Sequence, residues 1–225
     1  MTALPELKET LRTRLHSVWP GVYRWSVFSD EKQLFFNGYL VYCLGGWALI
    51  DPPPLTPEDK SLIEEMADIK AVILTNRDHE RDSQACKAYF DCPILCHTLD
   101  APLLSVPLKP DRDLTYEDGE ILLGDLKVLH LPDQKSPGES ALYHLRQDLL
   151  FLGDALIGKT ATDQSTGEGV SLQMLPADKY ASVEKAKTGL QRLVGSCPEE
   201  LFAVMVGDGE NILSEAYAQI KKAVF

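Results

Sequence analysis

Three polar segments of the chain hold most of the residues that could do chemistry, and each follows a short apolar run. They are residues 75–82, 131–139 and 206–209, and Asp154 closes the apolar run that comes after the second. Polar loops at strand ends carry binding and catalytic residues more often than other parts of a protein. Their carboxylates could bind a hard divalent cation such as magnesium, calcium or manganese, or act on water together with a histidine. The candidates for catalysis are Asp78, His79 and Asp154.

The apolar pattern around these segments predicts two packed sheets with helices outside, an α+β fold in one domain over residues 1–225. Alternating or short apolar runs predict strands at 25–28, 34–36, 39–44, 47–50, 71–74, 94–96, 121–123, 126–131, 140–145, 149–152 and 202–206. Helices are predicted at 4–17, 179–193 and 213–224. Two more are predicted between them, one that begins at Thr56 and one that follows residue 83 and ends at about residue 90. Asn37-Gly38 is predicted as a hairpin turn, and residues 159–169 as a surface loop that borders the site.

Composition and charge exclude several classes of function. The 225 residues carry a net charge of −12, which argues against a nucleic-acid partner and an anionic membrane surface. No apolar run has the roughly 20 residues that cross a bilayer, and the N-terminus does not read as a signal peptide. The sequence therefore predicts a cytoplasmic protein that binds neither nucleic acid nor membrane, and it leaves the oligomeric state open.

The five cysteines do not predict a disulfide framework, because their number is odd and the chain is large enough to form a core. Cys92, Cys96 and His97 could belong to a metal site. They also fit a short buried strand, which we favour because no second Cys/His pair completes a structural zinc site.

Five segments in order resemble the metallo-β-lactamase superfamily over roughly residues 24–210. In that family an apolar strand ends in Thr-His-x-His-x-Asp-His, followed later by His-x-Pro-Gly, a strand ending in Gly-Asp, and a Gly-His-Gly turn. The matching segments here are residues 47–51, 73–75, 135–139, 150–154 and 207–209. The resemblance implies the αββα four-layer sandwich, and within the superfamily it points to the small glyoxalase II-like members.

The resemblance also shows that the metal-binding residues are mostly replaced. Carried over position by position, the family's first histidine falls on Asn76, the second on Asp78, its aspartate on Glu80, the adjacent histidine on Arg81, the later histidine on Lys135, the bridging aspartate on Asp154 and the last histidine on Asp208. Asp154 is the residue of this set that keeps its type.

The replacements are of a kind that disfavours zinc. Zinc takes His, Cys or carboxylate ligands, whereas arginine stays protonated and has no lone pair to give. A unit cation about 4 Å from a divalent metal costs roughly 8 kcal/mol at an effective dielectric of ~20. The sequence therefore predicts no cofactor and a pocket in which Arg81 and Lys135 hold carboxylates in an ion-pair network. A single divalent cation on Asp78, Asp154 and Asp208 is the alternative.

Simpler roles remain open for several of these residues. Asn76 and Asp78 could be helix caps, Glu139 could pair with a neighbour, and His79 could lie at the surface or do acid–base work. The residues expected to line the pocket are Asn76, Glu80, Arg81, Lys135, Glu139 and Asp208.

Two functions follow from these expectations. The first is a hydrolase-like protein without metal that binds a small molecule or a protein partner. The second is an active hydrolase of small esters, thioesters or lactones, as the resemblance implies, using one non-standard metal or a carboxylate–His pair. A purely structural subunit is a third, less favoured class.

Overall fold

The first of the two sheets contains the N-terminal half of the chain in unbroken order. The structure is a computed structural model that describes residues 14–159 and 170–225. The strands of this sheet are β1 (His16–Trp19), β2 (Val22–Ser29), β3 (Leu34–Cys43), β4 (Gly46–Ile50), β5 (Ile69–Ile73), β6 (Ile94–His97) and β7 (Leu114–Tyr116). Pairing is antiparallel from β1 to β4 and parallel from β4 to β7, so β4 and β5 end at the same edge.

The second sheet has the order β14-β11-β10-β9-β8, and a separate ribbon pairs β12 with β13. The strands are β8 (Ile121–Leu122), β9 (Leu126–His130), β10 (Ser140–His144), β11 (Leu149–Leu152), β12 (Ile157–Lys159), β13 (Ser171–Gln173) and β14 (Ala203–Val206). Strands β11 and β14 are parallel, so they too end at one edge.

In the described residues, four α-helices cover the outer faces of the two sheets. They are α1 (Pro57–Met66), α2 (Ser83–Phe90), α3 (Val183–Ser196) and α4 (Ala216–Val224). Ile63 of α1 and Cys86 of α2 pack on the first sheet, and Leu190 of α3 and Ile220 of α4 pack on the second. A third cluster, which includes Phe151, fills the space between the sheets. The order helix, sheet, sheet, helix confirms the predicted four-layer sandwich. In the described residues, no helix is long and apolar enough to span a bilayer.

The predicted hairpin turn at Asn37-Gly38 is wrong, because both residues lie inside β3. The turn between β2 and β3 comes earlier, after Ser29, which pairs with Leu34. Gly38 is required by packing instead: a Cβ there would lie 2.5 Å from Trp25 and from Pro53. The predicted strands at 34–36 and 39–44 are therefore one long strand.

Other boundaries also differ from the sequence-based prediction. The part of the predicted helix 4–17 that is described runs into β1, and residues 4–13 lie outside the described residues. Residues 160–169 of the predicted loop likewise lie outside them, while the residues on either side form the ribbon. The helix predicted from residue 179 begins at Val183, because Ser182 caps it. The predicted Thr56 cap of α1 is confirmed, with Asp59 completing a capping box.

All five cysteines are buried free thiols, as expected in the absence of a disulfide framework. Cys96 lies in β6 and packs in the core under the helices of the first sheet. The strand interpretation of residues 92–97 is thus confirmed over Ile94–His97.

Candidate active site

The candidate site lies where β4, β5, β11 and β14 end. These strands are followed by Asp51, Thr75, Asp154 and Asp208 respectively. The two sheets are joined at this edge by backbone hydrogen bonds, such as that from Asn37 N to Gly207 O and that from Ser140 N to Thr75 O. Polar side chains from both sheets therefore meet at one rim of the sandwich.

His79 is at the centre of this rim and is buried. Its Nδ1 lies 2.8 Å from Asp51 Oδ2, and its Nε2 lies 3.5 Å from Asp154 Oδ1 and 3.9 Å from Asp208 Oδ1. Burial and Arg81 oppose protonation, but Asp51 and Asp154 outweigh them and raise the pKa of His79 to about 10. His79 is therefore an imidazolium at neutral pH. A surface position for His79, which the sequence left open, is excluded.

Local structure fixes the position of His79. It ends a short 3-10 turn, Arg77–His79. The backbone N–H groups of Asp78 and His79 both donate to Asn76 Oδ1. Gly207 lies against the imidazole, and a Cβ there would come 2.4 Å from His79 Cε1. The glycine before Asp208 is thus needed to make room for the ring.

Asp51 belongs to the site although sequence reasoning did not select it. Its carboxylate accepts hydrogen bonds from Thr75 N at 2.8 Å and Thr75 Oγ1 at 2.5 Å, besides the contact with His79. Asp51 thereby ties the ends of β4 and β5 to the imidazole. The sequence signal that could have identified Asp51 is its place at the end of an apolar strand, directly before three prolines.

Arg81 connects both sheets through its guanidinium. Nη2 donates to Asp208 Oδ1 at 2.6 Å and to the backbone oxygen of Gly207, and Nη1 donates to the backbone oxygens of Asn37 and Asp51. The guanidinium also lies 4.7 Å from the centre of the Phe36 ring, a cation–π contact. With only 8% of its side chain exposed, Arg81 is a fixed part of the site.

Lys135 forms the second cationic bridge. Its Nζ lies 2.6 Å from Asp154 Oδ2 and 2.9 Å from Asp78 Oδ2. Burial opposes the charge on Lys135, but Asp154 and Asp78 raise its pKa above the ordinary value. Burial likewise opposes the charge on Asp154, but His79 and Lys135 lower its pKa well below the ordinary value. Lys135 and Asp154 are therefore held as an ion pair.

The other three predicted lining residues have different places. The carboxylate of Glu80 faces away from the rim and accepts hydrogen bonds from Ser105 N, Ser105 Oγ and Val106 N. Asn76 caps the 3-10 turn, as the alternative prediction had it. Glu139 is fully buried behind Asp154, and its Oε1 accepts from Ala155 N. Burial and the charge of Asp154 raise the pKa of Glu139 well above its ordinary value.

A cavity of about 290 Å³ opens on the rim. Its lining includes two residues that the sequence did not single out, Lys32 from the β2–β3 turn and Phe36. The full lining is Lys32, Phe36, Asp78, His79, Arg81, Lys135, Asp154 and Asp208. Three predicted lining residues do not line it. Glu80 binds the 105–106 segment, Asn76 caps the 3-10 turn, and Glu139 is buried behind Asp154.

Three of the lining residues bring potential metal ligands together. One atom each from His79, Asp154 and Asp208 lies within 4.8 Å of the other two. The set differs from the predicted one, because His79 takes the place of Asp78. Asp78 instead contacts Lys135 on the solvent side.

The chain belongs to the metallo-β-lactamase superfamily, since that family's model matches residues 14–224. It resembles the metallo-beta-lactamase from Pontibacter korlensis with a TM-score of 0.69 and 16% identity, covering 95% of this chain and 99% of that one. It resembles the DIM-1 metallo-beta-lactamase with a TM-score of 0.69 and 15% identity, covering 94% of both chains. TTHA1623, solved in a di-iron-bound form, is 26% identical with a TM-score of 0.64, over 88% of this chain and 98% of that one. No curated protein matches the chain.

Proposed function

We propose that this chain is a hydrolase-like member of its superfamily that works without metal and binds a small polar molecule or a protein partner in the cavity. The observation that carries the proposal is geometric. The two carboxylates best placed to hold a metal, Asp154 and Asp208, each have a cationic nitrogen of the protein 2.6 Å away.

The two cations stand where a metal would have to be. Lys135 falls on the position of a family histidine, and Arg81 falls on another. Any divalent ion bound by Asp154 and Asp208 would lie within a few ångströms of both. Each such contact costs roughly 8 kcal/mol at 4 Å and an effective dielectric of ~20. Arg81 is held in this position by three backbone carbonyls, and Lys135 is held by two carboxylates.

His79 supports the same conclusion. Carboxylates face both of its ring nitrogens, with Nδ1 2.8 Å from Asp51 Oδ2 and Nε2 3.5 Å from Asp154 Oδ1. It adds a third positive charge to those of Arg81 and Lys135. Together they face the carboxylates of Asp51, Asp78, Asp154 and Asp208. The pocket is therefore close to charge balance without an ion.

The solvent-facing part of the pocket indicates what would bind there. Lys135 and Asp78 are about one third exposed, with 31% and 38% of their side chains accessible. Lys32 and Phe36 complete the mouth of the cavity. A ligand would meet charges of both signs and one aromatic ring, which suits a small polar molecule with an apolar portion.

The alternative is an active hydrolase of small esters, thioesters or lactones. Its support is the closeness of His79, Asp154 and Asp208, together with the di-iron form of TTHA1623. A version with His79 as general base is disfavoured, because an imidazolium cannot accept a proton. A version with one metal would need Lys135 or Arg81 to be displaced.

The metal content of this pocket decides between the two. The full chain and its Asp154→Asn/Asp208→Asn variant are purified without chelator, and zinc, iron and manganese are measured in both. We expect the same metal content in both proteins, because the pocket holds none. Metal that is stoichiometric in the native chain and absent from the variant would overturn the proposal.

Hydrolysis provides the second arm of the test. p-Nitrophenyl esters, thioesters and lactones are offered to the native chain and to the Asp154→Asn variant. We expect equal background rates. Turnover by the native chain that Asp154→Asn abolishes would establish the hydrolase instead.

A further inference from the structure

A second cluster of metal-ligating side chains lies at the end of the sandwich opposite the candidate site. It consists of Cys43 at the end of β3, Asp125 in the turn between β8 and β9, and His144 at the end of β10. One potential ligand atom from each residue lies within 4.8 Å of the other two. All three residues are at most 1% exposed.

The histidine of this cluster is oriented as a metal ligand would be. His144 Nε2 lies 3.1 Å from the backbone oxygen of Tyr42, which can only accept, so Nε2 carries the proton. His144 Nδ1 then holds a lone pair, and it is buried with no hydrogen-bond partner among the described residues. Histidines that bind metals typically donate their other N–H to a backbone carbonyl in this way.

The cluster joins the two sheets. Cys43 belongs to the first sheet, whereas Asp125 and His144 belong to the second. Asp125 Oδ2 also accepts from Leu44 N at 2.6 Å, which brings the β3–β4 turn to the β8–β9 turn. A metal bound here would therefore cross-link the two sheets at the end of the sandwich that is opposite the candidate site.

We propose that Cys43, Asp125 and His144 form a zinc site that joins the two sheets. Thiolate, imidazole and carboxylate are the three ligand types that zinc uses, and a tetrahedral site places its ligands roughly 3.5 Å apart, with a water molecule as the fourth ligand here. The cluster needs to contract by only about 1 Å to reach that spacing. On binding, the Cys43 thiol loses its proton to solvent as the sulfur–zinc bond forms.

Arg146 is the group that occupies the cluster when zinc is absent. Its Nε and Nη2 each lie 2.7 Å from an oxygen of Asp125. Unlike Arg81, it is an exposed side chain, with 44% of its surface accessible. It can therefore turn into solvent and leave Asp125 to the metal, whereas Arg81 in the candidate site is held by three backbone carbonyls.

Cobalt titration tests the site directly, because Co²⁺ takes zinc ligands and a thiolate ligand gives it a near-ultraviolet charge-transfer band. The native full chain, freed of metal by chelator and gel filtration, is titrated with CoCl2. We expect the band to saturate at one equivalent and to disappear on addition of ZnCl2. No cysteine lines the candidate site, so cobalt bound there would lack the band. This inference and the metal-free pocket can thus fail separately.

Variants assign the band to its ligands. Cys43→Ala abolishes it, and His144→Gln weakens binding at least about tenfold. The matched control is Cys197→Ala, another buried cysteine outside the cluster, which leaves the band unchanged. Absence of a thiolate band in the native chain, or a band that survives Cys43→Ala, would overturn the proposal.

Arg146→Gln keeps all three ligands and removes the competing cation from the surface. We expect this variant to bind cobalt several-fold more tightly, because that is the change in Kd that corresponds to the loss of one exposed ion pair. Arg146→Gln also tests the site if the Cys43→Ala variant does not fold. Unchanged or weaker binding by Arg146→Gln would contradict the proposed exchange of Arg146 for zinc.

Discussion

At the scale of single residues, the candidate site is defined by which charges face each other. Asp154 and Asp208 face Nε2 of His79, and their cationic partners are Lys135 and Arg81 respectively. Burying such charges is tolerable only because every one is paired, and removal of one partner leaves the other uncompensated. The ion pairs are therefore expected to contribute to stability as well as to the shape of the cavity.

Lys135→Met tests this at one position. We expect the free energy of unfolding to fall by about 2–3 kcal/mol, below the 3–5 kcal/mol typical of a fully buried pair because the Lys135 side chain is 31% exposed. Urea denaturation measures the change. The control is Lys127→Met on β9, which is exposed and has no ion pair in the described structure.

The same variant makes a second prediction about metal. With Lys135 gone, the negative charge of Asp78 and Asp154 is open to a cation. We expect MnCl2 to raise the melting temperature of Lys135→Met and to leave that of the native chain unchanged, since a ligand stabilises the state that binds it. An equal rise in both proteins would show that Lys135 does not exclude metal.

At the scale of elements, close packing positions the strand ends that carry the site. Gly38 lets β3 pass under Trp25 and Pro53, and the neighbouring Asn37 donates from its side chain to the backbone oxygens of Val206 and Gly209. These contacts fix β3 against the end of β14, where Asp208 begins the last polar segment. A change at Gly38 is therefore expected to disturb the site as well as the core.

Gly38→Ala should be costly because the added Cβ meets rigid rings at 2.5 Å. We expect a loss of about 3 kcal/mol, the upper range for overpacking in a core. The matched control is Gly195→Ala near the end of α3, where a Cβ meets no atom within 4 Å. That variant should gain about 0.5–1 kcal/mol from helix propensity. Thermal and urea melts of both variants give the comparison.

A buried ion pair between α2 and the loop before β7 gives a pH-dependent prediction. Lys87 contacts Asp113, which also accepts hydrogen bonds from Ile94 N and Lys109 N. Burial opposes ionisation of Asp113, but these donors lower its pKa below the ordinary value. A lowered folded-state pKa contributes stability that is present above the unfolded value of about 3.9 and is lost as the pH falls through the folded one.

Asp113→Asn is therefore expected to cost about 3 kcal/mol at pH 7 and progressively less below about pH 4. Urea melts of the native chain and the variant between pH 3 and 7 measure the difference. Asp91→Asn, which removes an exposed ion pair with Arg112, is the control and should change stability little at any pH. A difference that stays constant with pH would show that Asp113 titrates normally.

At the scale of the whole molecule, the two sheets depend on each other. Tyr39 of the first sheet donates to the backbone oxygen of Val206 in the second, and Arg81 contacts carbonyls of both. One apolar layer, which includes Tyr39 and Phe151, lies between the sheets. We therefore propose that the chain folds as one domain, with neither sheet stable alone.

Calorimetry tests this proposal. We expect one transition in which the calorimetric and van't Hoff enthalpies agree, and coincident loss of near-ultraviolet and far-ultraviolet circular dichroism. Two resolved transitions would mean that the sheets unfold separately. The experiment is run with chelator, so that zinc at Cys43 does not join the sheets.

The sequence by itself determined the order of the layers, because apolar alternation, the Thr56 cap and polar residues after apolar runs are local features. The resemblance to the superfamily also pointed to Arg81, Lys135 and Asp154, because each falls on a metal-ligand position of a motif that follows an apolar run. Only the tertiary structure decided that Asn37-Gly38 is buried strand, that Glu80 turns to Ser105, and that Asp51 and Lys32 join the site. Those outcomes depend on tertiary contacts between residues that are far apart in the sequence. Spacing along the chain carries no information about a partner that is 30 or 169 positions away, such as Asp51 from Arg81 or Asn37 from Val206.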